Sequence, residues 1–501
     1  MNGYRVSLGW LVAGLASLAF APTASAQLPC AYYAAPLESE GGRVPSGAPY
    51  GRRGAVGTPD APIAVSDFWK RDLAVPGAVL CLQDGLYRGK HSMLVPSGAV
   101  DGAPAARIEV RAVNDGEVWI DGEFQRATLR VTNSYWSMSG LNAYNSVGPP
   151  VGVRGKQQQD DVDRAPLRHV TLRRIVAWRD FLPYGTVEDY EAIGGHNIHI
   201  FDISQADDVL VEDCAGFGWA RKIFQNYTSK RVTFRRNWAR WDGRNPYRRG
   251  NKFSFSCSYK GYDALCENLI ATVGGSRDRA SAPESYDPSL HLIATDGAGW
   301  ATDRWLEPPG RDVHALGLRI RSSLAYTPPE SEFQRAAGFH IGGTGYPNKG
   351  QKGVHIENSV AVVRGQKGYA FALQDCKDDE KKHPDGCSWN QKADRNAAPL
   401  IVEQVTGVSP RKRRVRIGSD WRQNKVVTRA PGEPIDIYLG TDGGGALCYR
   451  SVDGRDTSEP LWPWPMQERI ARATERSNWE TADVMGQISR LFGPPPPECT
   501  R

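Results

Sequence analysis

NIHIFDISQADDVLVEDCAGFGWARKIFQNYTSKRVTFRRNWAR, residues 197–240, decides the fold. Short alternating apolar runs are separated by turns, and the series is passed through twice. In the first pass Asn197-Ile198-His199-Ile200 leads to Val209-Leu210-Val211-Glu212-Asp213-Cys214; in the second Lys222-Ile223-Phe224-Gln225 leads to Val232-Thr233-Phe234-Arg235-Arg236-Asn237. The equivalent residues Val211 and Phe234 are 23 apart. A period in the twenties, built of strands too short to bury an apolar face alone, is that of a stacked repeat. Helical periodicity is missing, so each repeat is a coil of strands and the expected fold is an all-β parallel β-helix.

Working outward, the second strand type recurs as VTLRRI from 170, DALCEN from 263, GLRIRS from 317, GVHIEN from 353 and LIVEQV from 400, with 31 residues from Phe234 to Leu265. Intervals of varying length put the insertions in loops, and loops gathered at one corner build the binding face of a repeat protein. Towards the N-terminus, RIEVRAVNDGEVWIDGE (107–123) and LRVTNSYWSMSGLNAYN (129–145) read as the first full coils, and 149–166 as a polar loop.

The chain begins with Arg5, an apolar run from Leu8 to Phe20 and Ala24-Ser25-Ala26, the pattern of a secretory signal over 1–26. Residues 27–75 read as an extended lead-in with an N-terminal cap, 76–447 as the β-helix and 448–501 as a disulfide-tied helical segment with Val484, Ile488 and Leu491 at helical spacing. No stretch after the signal is long and apolar enough to span a membrane, and a secreted or periplasmic location is expected. Nine cysteines in an exported chain imply disulfides with one left over. Proximity pairs Cys30 with Cys81, Cys257 with Cys266, Cys376 with Cys387 and Cys448 with Cys499, leaving Cys214 as a core residue. A net charge of +6 over 501 residues permits an anionic partner, while the lack of a long basic tract speaks against nucleic acid.

PGAVLCLQDGLYRG (76–89), residues 107–123 and the strand–Asn motifs ending at Asn237, Asn268 and Asn358 resemble the right-handed parallel β-helix superfamily that includes pectate, alginate and chondroitin lyases. The resemblance implies a right-handed solenoid with capped ends and spans most of 76–410. Its motifs describe coil geometry and match no catalytic signature residue for residue. The Arg-Ile-Lys and paired-Asp pattern of polygalacturonase-type hydrolases is not recognisable, and no calcium-ligand motif stands out; cofactors are left unassigned.

Candidate chemistry comes from the tetrads beginning at Asn197, Lys222, Lys252, Ser289 and Gly338, whose second residue is always apolar. Strict alternation then sends their first and third residues outward. One expected column is Asn197, Lys222, Lys252 and Ser289; the other is His199, Phe224, Ser254, His291 and His340, with neighbours ~4.8 Å apart. Stacked lysines lower each other's pKa and suit Lys222 or Lys252 to act as a base. His291, His340 and Tyr247 are the candidate proton donors. Tyr286 is a further tyrosine for that task. Arg221, Arg240, Arg244, Arg248 and Arg249, with Trp241 and His199, form a candidate binding edge, because guanidinium forks hold carboxylates and aromatic rings stack on sugars. Carboxylates are missing from both columns, which favours proton transfer over metal binding. A surface loop held by Asp242 salt bridges explains the arginines equally well, and Asp207-Asp208 reads as a turn rather than a hydrolytic pair.

The function expected is a polysaccharide lyase that cleaves an acidic, uronate-containing glycan by β-elimination. A glycoside hydrolase on the same scaffold and a non-catalytic glycan-binding protein remain the alternatives, since fold does not fix function.

Overall fold

The computed structural model describes residues 28–155, 167–180, 198–243, 252–259, 261, 263–274, 290–295, 317–327, 336–341, 354–363, 369–373, 401–408, 415–416, 422–429, 448–450, 456–460, 466–477 and 479. Apart from one antiparallel pair, Cys448–Arg450 with Asp456–Pro460, the strands form three parallel stacks. The first stack runs from Tyr32–Ala34 through Ala206–Glu212 and Lys230–Arg235 to Arg422–Arg429; the second from Gly85–Tyr87 through Ala215–Trp219 and Trp238–Gly243. The third holds nine strands, among them His199–Ser204, Lys222–Tyr227, Lys252–Tyr259, Leu290–Thr295, Ala336–Ile341 and Tyr369–Leu373. Each turn of the chain visits the stacks in order and returns one strand further along. This is a right-handed parallel β-helix.

The 23-residue coil is seen directly, because Val211 pairs with Phe234. The next expected equivalence is off by one: Phe234 pairs with Cys266 and Thr233 with Leu265. The corner between the first two stacks is made by one residue in the left-handed region, at Gly140, Arg174, Asp213, Arg236, Asn268, Ser322 and Asn358. Asn268 and Asn358 sit at that corner, where asparagine tolerates positive φ. Asn237 is one residue beyond it, and its amide accepts from Cys214 N (2.8 Å) and donates to Val211 O (2.9 Å), tying two coils together. The two asparagine positions are therefore different.

The interior is packed large against small. Phe201, Phe224 and Phe255 of the third stack form a ring stack with centroids 4.3 and 4.8 Å apart, and Phe339 stacks on Phe371 at 4.9 Å. Small residues of the second stack share this core: Ala143, Ala177, Ala239, Ala271, Ala325 and Ala361 are all buried in it. Gly216 continues the column, and a Cβ there would lie 2.5 Å from Ile223 and 3.2 Å from Phe224. Disulfides Cys30–Cys81 and Cys257–Cys266 are formed as expected, and Cys214 is buried and free. Burial pushes its thiol up, well away from a reactive thiolate. Cys376, Cys387 and Cys499 lie outside the described residues, as do 1–27 and Val484, Ile488 and Leu491.

The described C-terminal helix is Gln467–Arg476. Its Arg469 bonds Asp115, Leu141 O (3.0 Å) and Asn142 (3.1 Å), and Trp479 Nε1 donates to Arg179 O (2.7 Å), so the segment lies across the outer face of the second stack. On that face Tyr144, Trp178 and Phe217 stack with nearly parallel rings. Along the first stack, a column of charge alternates in sign: Arg173, Glu212, Arg235, Glu267, Arg321 and Glu357 are successive register partners. Glu212 contacts Arg173 (2.9 Å) and Arg235 (3.6 Å), and Glu267 contacts Arg235 (2.5 Å) and Arg321 (2.7 Å). Asp207 and Asp208 lie within the strand Ala206–Glu212 rather than in a turn between strands; Asp207 pairs with Arg231, Asp208 contacts His169, and Asp208 has φ 58°, a local kink in the strand.

Candidate functional site

The third stack departs from strict alternation, and this departure makes the site. Ile200 and Phe201 both lie in the core, as do Ile223 with Phe224, Leu292 with Ile293, and Ala370 with Phe371. Two consecutive inward residues bend each strand, so the outward side chains on either side of them, three positions apart, lean towards one another. His199 Nδ1 is accordingly 3.6 Å from Asp202 Oδ1 in the same strand.

Register fixes two outward columns. One is His199, Lys222, Phe253, His291, Ala337 and Tyr369; the other is Asp202, Gln225, Ser256, Ala294 and His340. The expected columns are corrected accordingly. His199 pairs with Lys222 and not with Phe224, which is interior, and Lys222 pairs with Phe253 while Lys252 pairs with Leu290. The stacked lysine pair is therefore not formed in register. Ser254 also points inward, its hydroxyl donating to Thr272 O (3.0 Å). His291 and His340 belong to adjacent strands as expected, but in different columns; the bend brings their rings together at 3.8 Å. Asn197 and Ser289 lie outside the described residues.

The columns form a continuous buried run of chemistry. Asp202 accepts from Ser204 Oγ (2.7 Å) and Gln225 Nε2 (3.0 Å). Lys222 Nζ lies 5.2 Å from the Phe253 ring centre and 5.4 Å from that of Tyr259, within cation–π range. Phe253 meets His291 edge-on at 5.3 Å. Burial lowers the His199 pKa, the Lys222 and Arg221 charges add to the effect, and Asp202 opposes it. Burial raises the Asp202 carboxyl, but contact with His199, the Ser204 hydroxyl and Arg154 outweighs it and brings it to about 2. His291 is held well below the ordinary histidine value by burial, then by His340 and Lys252. The imidazoles of His199 and His291 are thus both held towards their neutral form, beside Lys222, Arg221 and Lys252.

The expected binding edge is split. Trp241 is in the core with Nε1 donating to Ala220 O (2.7 Å), so its face is not open to a sugar. Arg240 is buried on the second stack, 2.8 Å from Asp242 and 5.3 Å from the Phe217 ring centre. The Asp242 salt bridge therefore exists, but inside the strand Trp238–Gly243 rather than on a surface loop. Arg221 adjoins His199, and its backbone N–H donates to Ile198 O (2.8 Å). Arg244, Tyr247, Arg248, Arg249 and Tyr286 lie outside the described residues. Asp202 and Gln225 were not among the expected site residues, although the run His199-Ile200-Phe201-Asp202 carries the signal: two apolar residues between two polar ones. Among the described residues no three His, Cys, Asp or Glu side chains gather as a metal site, and no helix is long and apolar enough to cross a membrane.

No protein-family model and no curated protein sequence matches the chain. Solved structures similar to it include pectate lyase Pel9A (14% identity, 69% of this chain and 78% of that one, TM-score 0.34). An alginate lyase from Paenibacillus sp. str. FPU-7 has 11% identity over 73% of this chain and 96% of that one, TM-score 0.35. The Azotobacter vinelandii mannuronan C-5 epimerase AlgE6 A-module has 11% identity over 73% and 94%, TM-score 0.32. The fold assignment rests on the strand register of the chain itself.

Proposed function

We propose that the protein is a secreted polysaccharide lyase that cleaves a uronate-containing glycan by β-elimination. The observation that carries this reading is the buried outward run of Asp202, His199, Lys222, Phe253 and His291, which sets proton-transfer groups beside a cation and an aromatic face. Elimination needs the carbon-bound proton next to the uronate carboxylate to be acidified, and a cation on that carboxylate does this; a neutral base must then be within reach. Lys222, Lys252 and Arg221 are the proposed cations. His199, His291 and His340 are the proposed proton-handling groups. In the sequence leading to Lys252, Arg244, Arg248 and Arg249 are proposed to hold further carboxylates, and Tyr247 to serve as a donor. The disulfides suit an oxidising location outside the cytoplasm.

A hydrolase of the usual kind needs two carboxyl groups facing each other across the scissile bond, roughly 5–10 Å apart. Among the described residues of the two columns, Asp202 is the only carboxylate. The test is to incubate the protein with acidic and neutral glycans while following ultraviolet absorbance and reducing ends. Unsaturated product from a polyuronate is the expected result. Reducing ends without absorbance would make the protein a hydrolase, and retention of a glycan without product would make it a binder.

A further inference from the structure

We infer that His199 is the base of this reaction, with its Nε2 taking the proton, and that Asp202 is the residue that positions it. The inference rests on the lyase reading and sharpens it by assigning the lysine a different task. The bend places Asp202 Oδ1 3.6 Å from His199 Nδ1. The Ser204 hydroxyl and the Gln225 amide both donate to that same Oδ1 and fix the carboxylate in place, so that its negative charge faces one ring nitrogen of the imidazole as an electrostatic neighbour. A carboxylate facing Nδ1 holds the proton there and leaves the lone pair on Nε2. That Nε2 is buried and has no hydrogen-bond partner among the described residues. An unsatisfied buried acceptor is costly unless something arrives to use it.

Lys222 is the register partner of His199 and lies near the faces of Phe253 and Tyr259. Those faces favour the ammonium over the amine, which suits Lys222 to neutralise the uronate carboxylate instead of removing a proton. In the step proposed, Nε2 removes the proton from C5, the C5–H electron pair forms the C4=C5 double bond, and the bond from C4 to the glycosidic oxygen breaks. The imidazolium returns its proton to the departing oxygen, so atoms and charge balance without another reactant. The charged groups facing the imidazole are Asp202 on its own strand and Lys222 and Arg221 on the neighbouring one, with Arg154 acting on Asp202 from the other side.

The experiment uses the full secreted chain on polygalacturonate, polymannuronate, polyguluronate and chondroitin. If the wild type forms no unsaturated product on any of these, the lyase reading fails and this inference falls with it. If it does form product, His199→Gln and His199→Asn, which keep an amide at either ring-nitrogen position, should each lose at least about a hundredfold in kcat with glycan binding retained. Asp202→Asn should lose about ten- to a hundredfold in kcat with little change in KM. It should also move the acidic limb of the kcat profile down by about one pH unit, since the carboxylate that raises the imidazole pKa has gone. Activity kept by either folded His199 variant overturns the proposal. If both unfold, the Asp202→Asn profile decides: an unmoved acidic limb overturns it, and a displaced one supports it.

Discussion

Gly216→Ala places one methyl group against the core wall behind the site. Its carbon would lie 2.5 Å from Ile223 Cγ2 and 3.2 and 3.3 Å from the edges of Phe224 and Phe201. Carbon atoms in contact prefer about 3.5–4.0 Å, so Ile223 or the Gly216 strand must give by about 1 Å. Overpacking of this size costs about 1–3 kcal/mol. The stiffer unfolded chain returns about 0.4–1 kcal/mol, which leaves a net loss of about 1–2 kcal/mol. In a solenoid the loss is shared with neighbouring coils only, so the assay is amide exchange over 222–227 by mass spectrometry. Exchange should speed up by about 5–30-fold there, with little change in the coils near Tyr32. Ile223→Ala removes the obstructing atom, and its own cost of about 2–5 kcal/mol should shrink by about 1–2 kcal/mol in the Gly216→Ala background. Unchanged exchange in the single variant, or strict additivity in the double, would refute the large-against-small packing of the second and third stacks. The same methyl presses on the two residues that bend the strand, so the activity proposed for the site should fall with it.

Other perturbations read other parts of the molecule. Glu267→Ala leaves Arg235 and Arg321 without their shared carboxylate and should cost about 3–5 kcal/mol, read by urea unfolding; Glu267→Ala with Arg235→Ala should be no worse than the single change. Arg469→Met removes the bonds to Asp115, Leu141 O and Asn142 and should make the 467–476 helix cleavable by trypsin under conditions where the coils survive. Reducing Cys30–Cys81, which closes a separation of 51 residues, should cost about 4 kcal/mol, seen as a lower melting temperature that Cys30→Ser reproduces. His291 and His199 have depressed pKa values in the folded state, so between those values and about 6.5 the unfolded chain binds more protons. Stability should therefore fall as pH drops below about 6.5, and His291→Gln should flatten the dependence in urea midpoints at pH 7 and 5.

The repeat was legible because burial and strand pairing impose the same period on every coil: the Val211 to Phe234 spacing alone gives the solenoid. Two disulfides follow from proximity along the chain. The site was less legible, since the rule that successive residues face opposite ways fails where Ile200 and Phe201 both turn inward. A two-residue error in register places His199 beside Phe224 instead of Lys222 in the expected columns and hides its contact with Asp202 altogether. Trp241 reads as part of an edge loop because polar Arg240 and Asp242 surround it, yet Arg240 Nε pairs with Asp242, which also accepts from Gly218 N, and the strand stays buried. The helical C-terminal segment is legible in the sequence, and its described helix is Gln467–Arg476, where Ile470 and Ala473 provide an apolar face one turn apart. The alternating charges lay in plain view at the fourth position of VTLRRI, VLVEDC and VTFRRN, and only the register shows that they touch.

That alternation limits how the solenoid can grow. Copying a single coil of the charged region within the chain would set arginine against arginine or glutamate against glutamate along the first stack, whereas copying two adjacent coils would keep every neighbour opposite. The register partner of Glu357 is Glu403, so the rule of even increments holds from Arg173 to Glu357 and is broken at the next step. The lineage of this protein should therefore show coils gained or lost in pairs between those two residues, and singly only beyond them.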